Sequence, residues 1–253
     1  MHTPRTTEIT PMALAGSLLF WAFMLLTSAL LYPVALIVRV VTLPFDSRLA
    51  ALHTFSCFWA SLYTWCNPLW SVAIDGRERI DRNAAYVIVC NHQSLADILV
   101  LFRLFVHFKW VSKAENFRIP FVGWNMTLNR YIRIERGSVK GNLGMIRGAE
   151  SALAGGSSVM IFPEGTRSTD GRLGEFKAGA FDIALRTGHT VLPVALTGTA
   201  AALPKKGFVL RGKHAIRILV LEPIAPPWAP GMDARKLGDL ARERIREAIT
   251  PVS

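Results

Sequence analysis

Charge is scarce in this chain of 253 residues, and negative charge is the scarcest. Asp, Glu, Lys and Arg make up 19% of the residues, whereas 51% are hydrophobic. There are 29 Lys and Arg against 18 Asp and Glu, which gives a formal net charge of +11. An excess of cations suits nucleic acid, an anionic membrane or a phosphorylated substrate. The hydrophobic excess favours the membrane, and nucleic acid is disfavoured because the cations are not joined to exposed aromatics outside the apolar segments.

Cysteine is also rare, and several catalytic motifs are missing. The three cysteines, Cys57, Cys66 and Cys90, stand in apolar surroundings at spacings that suit no zinc site. Their odd number argues against a disulfide framework, so we expect buried thiols in a reducing compartment. The sequence has no Gly-x-Ser-x-Gly elbow and no His-Glu-x-x-His motif. A serine esterase and a zinc protease are therefore unsupported, and we predict neither a metal site nor a cofactor.

Two long segments near the N-terminus lack charge altogether. No charged residue occurs between Glu8 and Arg39, which exceeds the ~30 Å hydrocarbon core at roughly 1.5 Å per helical residue, and none occurs from Leu49 to Ile74. Pro44-Phe45-Asp46-Ser47 separates them with a break and an N-cap. The pattern predicts a two-helix membrane hairpin over residues 1–70, with one spanning or deeply inserted helix and one interfacial, aromatic-rich helix. Two ordinary core helices and a cleaved signal peptide are the weaker alternatives.

From Asp75 onward, short strands alternate with helices. The predicted strands are 85–90, 109–112, 131–134, 157–162, 191–196 and 215–221, and the predicted helices are 94–106, 139–153, 178–187 and 233–249. Such alternation is typical of an α/β fold with a mostly parallel central sheet flanked by helices. The predicted organisation is thus a membrane-associated region at 1–70 and an α/β domain at 71–253.

A histidine and an aspartate follow the first of these strands. In Asn91-His92-Gln93-Ser94-Leu95-Ala96-Asp97, the two side chains can converge at the carboxyl end of the strand, where open α/β sheets bind ligands. A histidine is the usual base near neutral pH, and a carboxylate on its far nitrogen fixes the tautomer. However, Ser94-x-x-Asp97 also matches a capping box, in which Asp97 only satisfies backbone donors. The pair alone leaves both interpretations open.

A second polar segment follows another strand, at Phe162-Pro163-Glu164-Gly165-Thr166-Arg167-Ser168. Glu164 provides a carboxylate in a turn. Arg167 provides a planar, permanently charged fork that suits a phosphate. A solvated loop between strand and helix is the structural alternative.

Together, the two segments resemble the glycerolipid acyltransferase family, and within it the bacterial 1-acyl-sn-glycerol-3-phosphate O-acyltransferases (lysophosphatidic acid acyltransferases). Asn91 to Asp97 is similar to that family's first block, with its HX4D motif, and Phe162 to Ser168 to its third. Tyr131 to Gly137 resembles the second block, and Val191 to Gly198 the fourth. The resemblance extends over residues 70 to 225, with all four blocks in order.

This resemblance implies a reaction and a set of site residues. Oriented by Asp97, His92 would take the proton from a glycerol hydroxyl as that oxygen attacks the carbonyl of an acyl thioester, either acyl-CoA or acyl carrier protein. The candidate residues for binding substrate are Lys113, Arg136, Glu164, Gly165, Thr166 and Arg167. The product would be phosphatidic acid for phospholipid synthesis. The expected location is the inner membrane of a bacterium, with the catalytic domain on the cytoplasmic side.

Other functions remain open at the level of sequence. The acceptor could be a different lysolipid, such as lyso-ornithine lipid, because Asn129-Arg130 stands where family members usually carry glycines. We expect these larger side chains to reshape the acceptor site. A non-catalytic protein that binds anionic lipid is the remaining rival. Its candidate cations are Lys205, Lys206, Arg211, Lys213 and Arg217.

Overall fold

The computed structural model of the chain describes residues 10–135, 137–168, 172–204, 208–210 and 212–250. The helices are α1 (Pro11–Thr42), α2 (Ala50–Trp65), α3 (Ala96–Leu101), α4 (Val122–Leu128), α5 (Val139–Ala154), α6 (Gly179–Thr187), α7 (Thr199–Ala202) and α8 (Ala234–Ile249). The strands are β1 (Trp70–Asp75), β2 (Val87–Cys90), β3 (Phe108–Lys113), β4 (Ile132–Ile134), β5 (Ser158–Ile161), β6 (Val191–Thr197) and β7 (His214–Val220).

The strands form one seven-stranded sheet in the order β1-β7-β6-β2-β5-β3-β4. All neighbouring pairs are parallel except β6 and β7, which are antiparallel. The mostly parallel α/β fold predicted from the sequence is therefore confirmed. Because β2, β5, β3, β6 and β4 run in the same direction, their carboxyl ends share one edge, which we call the carboxyl edge.

Alternate residues of the central strands fill two apolar cores. In β2, Ile88 and Cys90 pack on the face that α2 and α3 cover, whereas Val87 and Val89 pack with Phe181 of α6 and with α5 and α8 on the other. The central strands are buried on both faces, which explains their uncharged, β-branched sequences. Strand β1 was missed because it continues the uncharged run of α2, although its burial alternates along the strand.

Helix α1 is the one described helix that is long and apolar enough to cross a membrane, and only 11% of its most apolar window is buried. Thr10 accepts a hydrogen bond from the N–H of Ala13 at its start, and the helix continues through Pro33. Its inner side packs along the rest of the protein: the Phe23 ring contacts Tyr63 of α2, and Tyr32 contacts Trp124 of α4. Its outer side exposes leucines and valines along its length.

Helix α2 has one face in the protein core. At its start, the two carboxylate oxygens of Asp46 accept the N–H groups of Ala50 and Ala51, which is the capping predicted for the break before it. Farther along, Nδ1 of the buried His53 bonds the Tyr131 hydroxyl, and burial lowers the pKa of His53 well below its ordinary value. The opposite face exposes Phe58 and Trp65. Helix α2 therefore joins the α/β core to an exposed aromatic surface, and the division of the chain at residue 70 stays a prediction.

Candidate active site

His92 and Asp97 meet at the carboxyl edge. Asn91 and His92 follow the last residue of β2, and Asp97 lies in the first turn of α3. The Nδ1 atom of His92 is 2.7 Å from Oδ2 of Asp97, and Asp97 is fully buried. Because an ionised carboxylate only accepts, Nδ1 carries the proton and Nε2 keeps a free lone pair. The His92 side chain is 14% exposed, so the imidazole can still be reached from the edge.

Asp97 also caps the helix, so both interpretations of its motif hold. The same Oδ2 accepts the backbone N–H of Gln93 at 2.6 Å and that of Ser94 at 2.8 Å. The other oxygen, Oδ1, is buried and makes no hydrogen bond within the described part of the chain. A single oxygen therefore fixes the turn and orients the histidine.

The first and third blocks are held together by Glu164. Its Oε1 accepts the backbone N–H of His92 at 2.7 Å, and its Oε2 accepts that of Gly174 at 2.9 Å. Burial is the main cause that raises the pKa of Glu164 above its ordinary value, and these two hydrogen bonds oppose it. The N–H of Ser168 closes the loop on the carbonyl of His92 at 2.8 Å. Because both of its oxygens bind backbone groups, Glu164 is a positioning residue in this structure, and its contact with substrate stays a prediction.

An aromatic stack supports the imidazole of His92. The His92 ring lies 3.9 Å from the Phe162 ring, with 9° between their planes, and Phe162 in turn stacks on Trp110 of β3. These contacts and the bond to Asp97 fix the orientation of the ring. Trp110 could not be predicted as part of the site, because its contact depends on β3 lying beside β5.

The fourth block has a structural place in the centre of the sheet. Val191, Leu192 and Val194 to Leu196 are fully buried. Asn91, the residue before the histidine, donates through Nδ2 to the Leu196 carbonyl and accepts the Leu196 N–H through Oδ1, both at 2.8 Å. The fourth block therefore anchors the first block to β6.

Several of the predicted substrate-binding residues reach the same edge. Lys113 is exposed at the end of β3, and Thr166 and Arg167 lie in the loop after β5 that closes over His92. Gly165 turns that loop with φ +71°, a conformation that favours glycine. Arg136 lies outside the described residues, as do Lys205, Lys206 and Arg211 of the lipid-binding alternative. Arg217 of that set pairs with Asp75 at 2.6 Å.

Lys177 is a cation near the site that sequence reasoning missed. Its Nζ would stand 2.9 Å from a Cβ placed on Gly165, so the ammonium group lies directly over the turn of the third block. The Lys177 N–H bonds the Pro163 carbonyl at 2.9 Å, which fixes the backbone beside that turn. A lysine nine residues beyond the motif has no signal in its spacing, because its position depends on the hydrogen bond that joins its backbone to Pro163.

Asn129 and Arg130 lie at the opposite edge of the sheet. They precede β4, so they stand at its amino end, whereas His92 follows the carboxyl end of β2. Asn129 is fully buried and donates to the Ser56 hydroxyl of α2. Burial is the main cause that lowers the pKa of Lys109 to about 8, and the charge of the exposed Arg130 adds to it. The expectation that this pair reshapes the acceptor site is therefore wrong, because the direction of β4 carries it away.

Comparison with known proteins agrees with this geometry. Residues 71–197 match the family model described as Acyltransferase. The chain is 35% identical over 241 residues to a 1-acyl-sn-glycerol-3-phosphate acyltransferase of Chlamydomonas reinhardtii, covering 93% of this chain and 70% of that protein. It is 31% identical over 153 residues to the enzyme of that name from Borreliella burgdorferi, covering 60% of each. Against a chloroplast relative from Arabidopsis thaliana it is 35% identical but spans only 54% of that protein.

A solved structure has the same fold. The crystal structure of the 1-acyl-sn-glycerophosphate (LPA) acyltransferase from Thermotoga maritima superposes with a TM-score of 0.74, covering 95% of this chain and 99% of that one at 23% identity. The resemblance inferred from the four motif blocks is confirmed, and this chain belongs to the acyltransferase family.

Proposed function

We propose that this protein transfers a fatty acyl group from an acyl thioester to the free hydroxyl of 1-acyl-glycerol-3-phosphate and so makes phosphatidic acid. The observation that carries the proposal is the dyad of His92 and Asp97, with the third-block loop fastened to the histidine backbone through Glu164. The dyad provides a base, and the loop brings Arg167 to the same edge. Relatives that bear the name of this activity support the choice of acceptor.

The dyad can perform the reaction without a covalent acyl-enzyme. As the acceptor hydroxyl attacks the thioester carbonyl, Nε2 of His92 takes its proton, and Asp97 stabilises the imidazolium that forms. When the tetrahedral intermediate collapses, the carbon–sulfur bond breaks and the sulfur leaves with the proton from Nε2. The dyad is thereby returned to its starting state, and one ester replaces one thioester.

Cations at the carboxyl edge provide the complementary half of the acceptor site. We propose that Arg167 and Lys113, together with Lys177, bind the acceptor's phosphate, whose charge distinguishes it from a neutral lysolipid. Thr166 and Gly165 then shape the turn over which that phosphate lies. The acyl donor is acyl-CoA or the acyl thioester of acyl carrier protein.

The exposed apolar surface supports a membrane location. It combines the outer side of α1, Phe58 and Trp65 of α2, and Ile119, Val122 and Trp124 of the segment after β3. Because α1 packs along the protein at Phe23, Tyr32 and Ala35, we propose that it lies in one leaflet with the acyl chains entering beside α4. The free cysteines fit the cytoplasmic side of a bacterial inner membrane, because the cytoplasm is reducing.

A panel of acceptors and donors tests the proposed function. Purified protein is given 1-acyl-glycerol-3-phosphate, lyso-ornithine lipid and lysophosphatidylcholine, each with acyl-CoA and with acyl carrier protein thioesters. We expect phosphatidic acid as the main product, and its loss in His92→Ala. Acylation of lyso-ornithine lipid in preference to the phosphate acceptor would overturn the choice of acceptor, and a lack of transfer to every acceptor would overturn the proposed reaction.

A further inference from the structure

A polar cavity lies at the amino edge of the sheet, opposite the carboxyl edge that carries His92. It has a volume of about 190 Å³, and its polar lining comes from Arg48, Thr54, Arg82 and His107. One water needs only roughly 15 Å³ of such volume, so the cavity has room for a group much larger than water. Among the described residues that line it there is no carboxylate.

The position of this cavity separates it from the catalytic residues. Its walls include Ala84, His107 and Gly156, which precede β2, β3 and β5, whereas His92 and Glu164 follow the ends of β2 and β5. A ligand bound here therefore lies a full strand length from the reacting atoms. The cavity belongs to a site that the acyl-transfer chemistry does not use.

Two arginines supply the positive charge. Arg48 is held against the wall by a hydrogen bond from Nη1 to the Gly156 carbonyl at 3.2 Å, and a Cβ on Gly156 would stand 3.4 Å from the same nitrogen. Arg82 is exposed at the rim, and within the described part of the chain it makes no hydrogen bond or ion pair. One guanidinium is thus fixed in place and the other is available to a ligand.

The positive charge around the cavity also affects the pKa of His107, which lies in its wall. Burial, followed by the positive charges of Lys109 and Arg48, lowers the pKa of His107 to about 4, against a weaker opposing effect of Asp46. Nε2 of His107 bonds the Ser157 hydroxyl, while its Nδ1 is buried and has no hydrogen-bond partner among the residues described. The Asp46 carboxylate is already engaged by the N–H groups at the start of α2. The local balance of charge therefore favours an anion.

The cavity also borders the surface that we place against the membrane. Thr54 lies in its wall, and Phe58, one turn farther along α2, is exposed. Leu43 and Phe45, in the turn that leads to Arg48, are exposed as well. A phosphate at the level of lipid headgroups would thus meet two arginines beside an apolar surface.

We propose that Arg48 and Arg82 form a second phosphate-binding site at the amino edge of the sheet, distinct from the acceptor site. The phosphate comes either from the headgroup of an anionic phospholipid or from a soluble phosphate compound. The site would hold the enzyme on phosphate-bearing membranes or sense phosphate without taking part in acyl transfer. It is independent of which lysolipid is the acceptor.

Two probes and a matched pair of variants test this site on the full-length protein. The variants are Arg82→Gln and, as a control of equal charge change, Arg235→Gln at an exposed position of α8 on the opposite face. The first probe is inorganic phosphate, followed by the NMR titration of His107. The second is partition onto phosphatidylcholine vesicles with and without phosphatidic acid. Turnover in neutral detergent is measured alongside, because Arg82 lies outside the catalytic machinery.

We expect saturable binding that depends on Arg82. Phosphate should raise the pKa of His107 from about 4 toward its ordinary value. Because one cation near a lipid surface contributes about 1 kcal/mol, Arg82→Gln should weaken binding about fivefold. Arg235→Gln should leave binding unchanged, and neither variant should change turnover.

If Arg82→Gln weakens the binding of both probes, or of free phosphate alone, the site is open to soluble phosphate. An effect confined to vesicles identifies the headgroup. Two results would overturn the proposal. One is that the two variants bind both probes equally well. The other is that phosphate does not change the titration of His107 and phosphatidic acid does not change partition onto vesicles.

Discussion

Replacing Asp97 by asparagine separates the two roles of this side chain. Asparagine has nearly the same shape, so its carbonyl oxygen can take the place of Oδ2 and still accept from Gln93 and Ser94. Its NH₂ group then occupies the place of Oδ1, which has no partner among the described residues. The backbone bonds of the turn survive, and the negative charge beside His92 is lost.

The charge determines the size of the expected effect on rate. Two unit charges about 4 Å apart attract by about 4 kcal/mol at an effective dielectric constant of about 20. That stabilisation is realised only when His92 becomes an imidazolium, so its loss should lower kcat about a thousandfold, at about 1.4 kcal/mol per factor of ten. Stability should fall much less, because capping by asparagine is nearly as good as by aspartate.

The assay measures thiol release from acyl-CoA at saturating acceptor, together with the thermal midpoint of unfolding. Asp97→Ala is the matched comparison, since it leaves the N–H groups of Gln93 and Ser94 unpaired and should also lower stability, by about 2–4 kcal/mol. If Asp97→Asn retained more than a third of wild-type kcat, Asp97 would be only a helix cap, and the argument that its charge assists the base would fail.

Three further predictions concern residues around the dyad and in the wall of the polar cavity at the amino edge. Glu164→Gln should lower both kcat and stability, by about 1.5–3 kcal/mol in the unfolding free energy, because its NH₂ must face the N–H of His92 or Gly174; an unchanged urea midpoint would refute this. Lys177→Met should raise KM for the phosphate acceptor about tenfold with little change in kcat, whereas Lys236→Met on α8 should not; an equal KM in the two variants would exclude Lys177 from the acceptor site. In the unfolded chain His107 titrates near 6.5 and in the fold near 4, so the unfolded state binds more protons in this window and stability falls as the pH falls through it. His107→Gln should remove up to about 3 kcal/mol of this pH dependence in urea unfolding; a pH profile equal to that of the wild type would contradict the assignment.

The sequence was sufficient for the parts of the fold that depend on local pattern. The buried strands β2, β5 and β6 are uncharged runs that end at turn-formers, and the structure places them within one or two residues of the predicted bounds. Strand β1 was invisible because Trp70 to Ile74 differs little in composition from the aromatic helix before it. Burial on one face, which only the sheet reveals, is what marks it as a strand.

The residues of the candidate site also divide into those that the local sequence predicts and those that only the fold brings together. His92 and Asp97 are five residues apart, so a strand followed by a helix start brings them together without knowledge of the sheet. The Trp110 stack depends on which strands are neighbours, and the place of Lys177 depends on the hydrogen bond of its backbone to Pro163. For Asn129 and Arg130 the signal was available, because residues before a parallel strand lie at the edge opposite its carboxyl end.

The most direct test of the account is the rate of acyl transfer by His92→Ala on 1-acyl-glycerol-3-phosphate, with phosphatidic acid quantified by mass spectrometry and vesicle partition measured on the same preparation. Because general-base catalysis contributes about 10²–10⁴-fold, we expect kcat to fall by about a thousandfold while partition and thermal midpoint stay at wild-type values. Retention of kcat within tenfold of wild type, in a folded and membrane-bound variant, would contradict the assignment of His92 as the base.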